Sequence, residues 1–111
     1  MTDDIQNLSL VKRLFPLVLR GDKTSTIRWQ KGHITVGPLM FFCKEEPSLT
    51  VLVIVTKCTE MLLSDAAAFM GRSDEWPDDA LLVGMQEHYP DIALSSSVQV
   101  IEYNPPIPTL V

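Results

Sequence analysis

The chain has 111 residues, enough for one domain with its own hydrophobic core, and 46% of them are hydrophobic, which is typical of a globular protein. Fourteen acidic residues against nine basic ones give a net charge of -5, which argues against binding to long duplex nucleic acid. We expect a single domain over residues 1–111, with its core at 8–104 and tails at 1–7 and 105–111.

The termini and cysteines indicate a protein of the reducing cytoplasm. Met1-Thr2-Asp3-Asp4 is acidic where a secretory signal would be basic, and no apolar run reaches the roughly 18 residues of a membrane-spanning helix. Cys43 and Cys58 adjoin apolar runs and lack metal-ligand spacing, so we predict buried free thiols. No metal and no cofactor are predicted.

The first half of the chain predicts a strand at 8–11, then a helix at 12–20 with Pro16 in its first turn and Gly21 at its end. A second strand is predicted at 24–29 because it is rich in β-branched residues. A loop around Lys31-Gly32-His33 follows.

The second half predicts two strong strands, 38–44 and 49–58, joined by a turn at 45–48. The run from Val51 to Val55 is continuously apolar, which favours a central strand covered on both faces. Two helices are predicted to begin at Ser64 and at Pro77, with a last strand at 98–103.

This order of elements favours an α+β fold rather than a doubly wound one. We expect a mixed β-barrel of about five or six strands with two or three short helices, because the strands mostly follow one another along the chain.

The segment Arg20–Arg28, RGDKTSTIR, concentrates polar side chains directly after an apolar helix. Strand alternation places Thr24, Thr26 and Arg28 on one face and Ile27 on the other. Ile27 is then the natural core residue, which leaves Thr26 and Arg28 to face a groove or solvent. In the simpler interpretation, Lys23 is solvated and the threonines are ordinary β-formers.

Gly21, Lys23, Thr26 and Arg28 match the pattern GxKxxTxR. With Tyr89-Pro90 before a final strand, this pattern resembles the ASCH (ASC-1 homology) family, whose fold is PUA-like, over roughly residues 8–104. Length and spacing look like those of a small bacterial branch, the N4-acetylcytidine amidohydrolases.

This resemblance implies that Lys23 is the base and Thr26 the nucleophile. From its chemistry, Arg28 either supplies a cation near Lys23 or holds a substrate oxygen through its planar fork, and Thr24 is a further candidate for substrate binding. A threonine hydroxyl is a weak nucleophile and requires an adjacent base. A lysine acts as that base only where burial or a neighbouring cation lowers its pKa.

The resemblance also implies a carboxylate that handles protons, and two residues compete for this role. Gapless alignment from Tyr89-Pro90 places Asp74 there, whereas Glu75 has the matching chemistry and requires a shift of one residue. We favour Glu75. Alternatively, both are merely acids that precede a helix N-terminus.

Trp29 and Trp76 flank these two segments, and either could stack on a nucleobase or fill the edge of a core. The phenylalanines Phe41, Phe42 and Phe69 are predicted to be core residues.

The resemblance therefore implies an amidohydrolase acting on N4-acetylcytidine or a related N4-acylated cytosine nucleoside. The first alternative is a noncatalytic module that binds RNA or a modified nucleotide, and the second is a ribonuclease-like ASCH protein. The expected partner is a small nucleoside or single-stranded RNA, not a membrane or an extended DNA duplex. No oligomeric state is predicted.

Overall fold

A computed structural model describes residues 5–29 and 33–106, so Lys31 and Gly32 of the predicted loop lie outside the described residues. Within these residues the elements are β1 (Gln6–Ser9), a 3₁₀ turn (Lys12–Leu14), α1 (Phe15–Arg20), β2 (Ser25–Arg28), β3 (Gly37–Phe42), β4 (Thr50–Leu62), α2 (Leu63–Phe69), α3 (Asp78–Gln86) and β5 (Ser97–Asn104). This content confirms the predicted α+β class.

The strands form one mixed sheet in the order β1-β3-β4-β5-β2. β1 pairs with β3 in parallel, with Leu8 opposite Phe41, and β3 pairs with β4 in antiparallel orientation, with Phe41 opposite Val51. The sheet edges are therefore β1 and β2. The edge strand β2 carries two of the four signature residues, Thr26 and Arg28.

The helix before that signature ends as predicted. Pro16 lies in the first turn of α1, and Gly21 ends the helix with a φ of 81°. The Gly21 amide donates to the Val18 carbonyl and the Asp22 amide donates to the Leu17 carbonyl, which is the bond pair of a Schellman motif. This motif turns the chain sharply out of α1 and toward β2.

β4 is longer and less covered than predicted. Val51, Val53 and Val55 are buried, but Leu52 and Ile54 are 43% and 44% exposed, so the prediction that both faces are covered is wrong. The strand is central in the sheet, but it follows the alternation typical of a sheet with one buried face. A continuous apolar run does not distinguish these two situations.

The chain divides into two compact units. The first includes residues 5–26, 33–58 and 101–106, and its core contains the side chains Leu8, Leu10, Phe15, Val18, Ile34, Leu39, Phe41, Cys43, Val51, Val53, Val55, Ile101 and Tyr103. Two of these rings, Phe41 and Tyr103, pack edge to face with centroids 5.3 Å apart.

The second unit includes residues 27–29 and 59–100. Its buried core contains Leu63, Ala67, Leu81, Ile92 and Val98. Partly buried side chains pack against this core, namely Ile27, Trp29, Met61, Trp76, Leu82, Met85, Tyr89 and Leu94.

Two single-residue predictions require correction. Phe41 is fully buried, but Phe69 is 42% exposed because it lies at the last position of α2 and not on its buried face. Both cysteines are free thiols, and Cys43 is buried as predicted, whereas Cys58 is only half-buried. Among the residues that the structure describes, no helix combines the length and hydrophobicity needed to cross a membrane.

Candidate active site

Lys23 lies in the turn between α1 and β2, and its main chain and side chain both make hydrogen bonds. Its backbone N–H donates to the Leu17 carbonyl over 3.1 Å, which helps to close the end of α1. Its Nζ donates to the Ser25 carbonyl over 2.7 Å, and the residue is half-buried. The amine is therefore held against the start of β2 instead of extending into solvent.

Thr26 is 7% exposed, the one buried polar residue in the described part of the chain. Ile27 is only half-buried and packs against the core of the second unit. We expected Ile27 to be the core residue and Thr26 to face a groove or solvent. The prediction that Thr26 could face solvent is wrong, because its side chain is buried. Both faces of β2 carry covered side chains, and pleat alternation assigns residues to faces without indicating which face is covered.

Thr24 serves the fold through its backbone. Its carbonyl accepts a hydrogen bond of 2.9 Å from the Tyr103 amide, which places the start of β2 beside the end of β5. The residue itself is exposed. Its side chain is thus accessible, and its predicted role in substrate binding stays a prediction.

The two candidate acids lie in the loop between α2 and α3. Gly71, with a φ of 71°, ends α2 in a second Schellman motif: its amide donates to the Ala68 carbonyl and the Arg72 amide donates to the Ala67 carbonyl. The Arg72 carbonyl then accepts hydrogen bonds from the amides of Glu75 and Trp76, over 3.1 and 2.8 Å. This turn places Asp74 and Glu75 at the surface.

The side chains of this loop converge on Arg72, which the sequence analysis did not single out. Its Nη1 donates to Glu75 Oε2 over 2.9 Å, and its Cζ lies 5.3 Å from the centre of the Trp76 ring. The Asp74 carboxylate makes no hydrogen bond or ion pair with the part of the chain described. The spacing of Arg72 and Glu75 by three residues, followed by an aromatic, was the available signal.

Both tryptophans pack against the core of the second unit. Trp29 follows β2 directly, and its ring meets Tyr89 edge-on, with centroids 6.0 Å apart and planes at 90°. Trp76 lies under the Arg72 guanidinium. Each ring thus covers part of the core of the second unit. Stacking of either ring on a nucleobase stays a prediction.

The predicted site residues are divided between the units. Lys23, Thr24 and Thr26 belong to the first unit, whereas Arg28 and Trp29 belong to the second. The loop residues Asp74, Glu75 and Trp76 also belong to the second unit. Within the first unit the structure places Lys23 and Thr26 on one short turn and strand, and within the second it gathers Glu75 and Trp76 around Arg72.

Comparison with known proteins identifies the fold. Two single-substitution mutants of ZmASCH from Zymomonas mobilis resemble the chain in structure. The first mutant has a TM-score of 0.64 and 8% sequence identity, and the match covers 88% of this chain and 66% of that one. The second mutant has a TM-score of 0.65 and 10% sequence identity, and the match covers 94% of this chain and 73% of that one. No protein-family model and no curated protein matches the sequence. At such low identity the likeness establishes the fold alone. The chain therefore has the PUA-like α+β fold of ASCH proteins.

Proposed function

We propose that this protein is an amidohydrolase that removes the acyl group from N4-acetylcytidine or a related N4-acylated cytosine nucleoside. The observation that carries the proposal is that one short turn and strand holds both a buried threonine, Thr26, and a half-buried lysine, Lys23, whose amine is fixed on the Ser25 carbonyl. The ASCH fold and the GxKxxTxR pattern support it. The net charge of -5 favours a small substrate over a long polyanion.

In the proposed reaction, Lys23 in its neutral form accepts the hydroxyl proton of Thr26, and Thr26 Oγ1 attacks the acyl carbonyl carbon. The bond from that carbon to N4 then breaks, and N4 takes up a proton as cytidine leaves. A water molecule hydrolyses the threonine ester, which releases the carboxylic acid and restores the hydroxyl.

Burial supports both participants in this chemistry. A hydroxyl shielded from water attacks the bound acyl group without competition from solvent. A half-buried amine that is already held by a hydrogen bond has fewer positions available to it than a solvated one. The Ser25 carbonyl accepts a hydrogen bond from Nζ in either protonation state, because a neutral amine is still a donor. Lys23 can therefore keep one position through the catalytic cycle.

The resemblance assigns the proton for N4 to a carboxyl group, Asp74 or Glu75. Substrate orientation is assigned to Arg28 on its chemistry, since it is half-buried at the end of β2 and its planar fork suits a carbonyl or phosphate oxygen. Both assignments are proposals in their own right.

A noncatalytic binding module is the second candidate, and the exposed acids favour it. Glu75 is 64% exposed and is paired with Arg72, and Asp74 is also exposed. A group that donates a proton to a leaving nitrogen is usually shielded from solvent, whereas a binding module requires no such acid.

The test is whether the purified protein releases cytidine from N4-acetylcytidine, with the cytidine measured by chromatography. Thr26→Val preserves the volume of the buried side chain and removes the hydroxyl, so we expect turnover to fall by about 100-fold or more. Thr26→Ser keeps a hydroxyl at this position and should retain part of the native turnover. Lys23→Arg keeps the charge but cannot act as a base, so this variant should lose turnover as Thr26→Val does.

Turnover that survives Thr26→Val in a folded protein would rule out the threonine nucleophile. If the native protein shows no turnover but binds the nucleoside in calorimetry, the binding module replaces the enzyme.

A further inference from the structure

We propose that Arg72 is a positioning residue that orients Glu75 and Trp76 and thereby selects Glu75, not Asp74, as the proton-handling carboxylate. The inference rests on the proposed function. It concerns contacts within the second unit alone, and it assigns a role to a side chain that the signature does not include.

The backbone of this loop is determined without the Arg72 side chain. The Schellman bonds after α2 and the two amides that donate to the Arg72 carbonyl all belong to the main chain. Replacing the side chain therefore leaves the path of residues 71–77 in place. The guanidinium is available to act on neighbouring side chains instead.

The guanidinium contacts two side chains in different ways. Its Nη1 forms the ion pair with Glu75 Oε2, while its Cζ lies over the Trp76 ring, 5.3 Å from the centroid. A planar, delocalised cation can stack and donate at the same time, whereas a lysine ammonium is a point charge that cannot. Arg72 thus links the carboxylate to the ring.

Trp76 makes this link stronger than an ordinary surface ion pair. An exposed pair orders its side chains only weakly, because solvent screens the charges and both chains lose rotamer entropy. Here the ring that the cation overlies is partly buried and packs against the core of the second unit, which gives the guanidinium a second contact besides the carboxylate. In this proposal the contact with Trp76 restrains Arg72 and, through it, Glu75, while Asp74 has no comparable partner in the described residues.

A structural test uses the fluorescence of Trp76 in a Trp29→Phe background, which leaves one tryptophan. Arg72→Ala uncovers the ring, and we expect quenching by acrylamide to rise about twofold as the cation over the ring is lost. Arg13→Ala is the matched control, because it removes another exposed arginine, from the 3₁₀ turn, and should change nothing. Unchanged quenching in Arg72→Ala would overturn the proposal.

A kinetic test uses a double-mutant cycle on the hydrolysis of N4-acetylcytidine. If Arg72 acts through Glu75, Arg72→Ala and Glu75→Gln each lower kcat/KM about tenfold, and the double variant loses no more than Glu75→Gln alone. Arg72→Lys should fail to rescue, because charge without the planar fork is insufficient.

Multiplicative losses in the double variant would overturn the positioning role while leaving the amidohydrolase intact. Absence of turnover in the native protein would instead refute the proposed function, and the acrylamide measurement would then decide whether Arg72 positions the ring.

Discussion

At the residue scale, the candidate nucleophile and base have different surroundings. Thr26 is buried in β2, whereas Lys23 lies half-buried in the preceding turn with its amine on the Ser25 carbonyl. Burying a hydroxyl is costly unless it is hydrogen-bonded, and few polar side chains are buried in this protein. Burial of Thr26 is thus the feature of this strand on which the proposed nucleophilic role depends.

Cys58 provides a residue-scale prediction about pH. Burial raises the pKa of the Cys58 thiol, so the folded protein holds its proton to higher pH than the unfolded chain. Only the thiolate reacts with iodoacetamide, and alkylation of Cys58 should therefore reach half its maximal rate at a higher pH in the folded protein than in urea. Mass spectrometry of the peptide distinguishes Cys58 from buried Cys43.

The same shift has a consequence for stability. The pKa of Cys58 is higher in the folded protein than in the unfolded chain. The contribution of this thiol to the free energy of unfolding is therefore complete below the pKa of the unfolded thiol, and it is lost as the pH rises through the pKa of the folded one. An equal or lower midpoint for alkylation in the folded state would contradict the shift.

At the element scale, the two candidate segments begin in the same way. Each follows a short helix that ends at a glycine with positive φ, Gly21 before Lys23 and Gly71 before Asp74. A Schellman motif reverses the chain within two residues, so polar side chains can follow an apolar helix without extending it. The two ends differ in their surroundings, since a Cβ at Gly21 would lie 3.2 Å from Cγ of Pro105, whereas none of the described atoms lies within 4 Å of one at Gly71.

This difference predicts unequal effects of alanine at the two glycines. Gly71→Ala should lower the free energy of unfolding by about 1 kcal/mol, the cost of a left-handed conformation for a residue with a Cβ. Gly21→Ala should cost more, because Pro105 must also shift. Urea unfolding of both variants measures the difference, and equal losses would show that the contact with Pro105 is inconsequential.

At the scale of the whole molecule, the negative net charge restricts the kinds of nucleic acid that we expect the protein to bind. With nine basic residues against fourteen acidic ones, the protein lacks the excess of cations that neutralises a row of phosphates. We expect no saturable binding of duplex RNA or DNA in fluorescence anisotropy at physiological salt. Submicromolar affinity that weakens steeply with added salt would contradict this and would favour a nucleic-acid partner over a free nucleoside.

The buried apolar side chains of this molecule form two hydrophobic clusters. Side chains from β1, α1, β3, β4 and β5 contribute to the first, and three of the five buried side chains of the second come from α2 and α3. Apolar periodicity located these segments, but it did not assign them to different clusters. That assignment depends on which segments meet in space.

Local interactions were predictable from the sequence. The end of α1 at Gly21, the loop before Pro77 and the positions of most strands follow from glycine, proline and hydrophobic spacing, whose effects extend over a few neighbouring residues. The GxKxxTxR pattern likewise indicated the ASCH fold that the structural comparison supports. The parallel pairing of β1 with β3 was not predictable, because a strand does not specify its partner.

The amino-acid sequence by itself determined the class of fold, the glycine and proline positions at which helices begin and end, and the polar segment that follows α1. Tertiary structure alone decided that Thr26 is buried, that one face of β4 remains exposed and that Arg72 meets both Glu75 and Trp76. The physical reason is that alternation and capping act within one segment, whereas burial and the meeting of charged side chains depend on what another segment places opposite them.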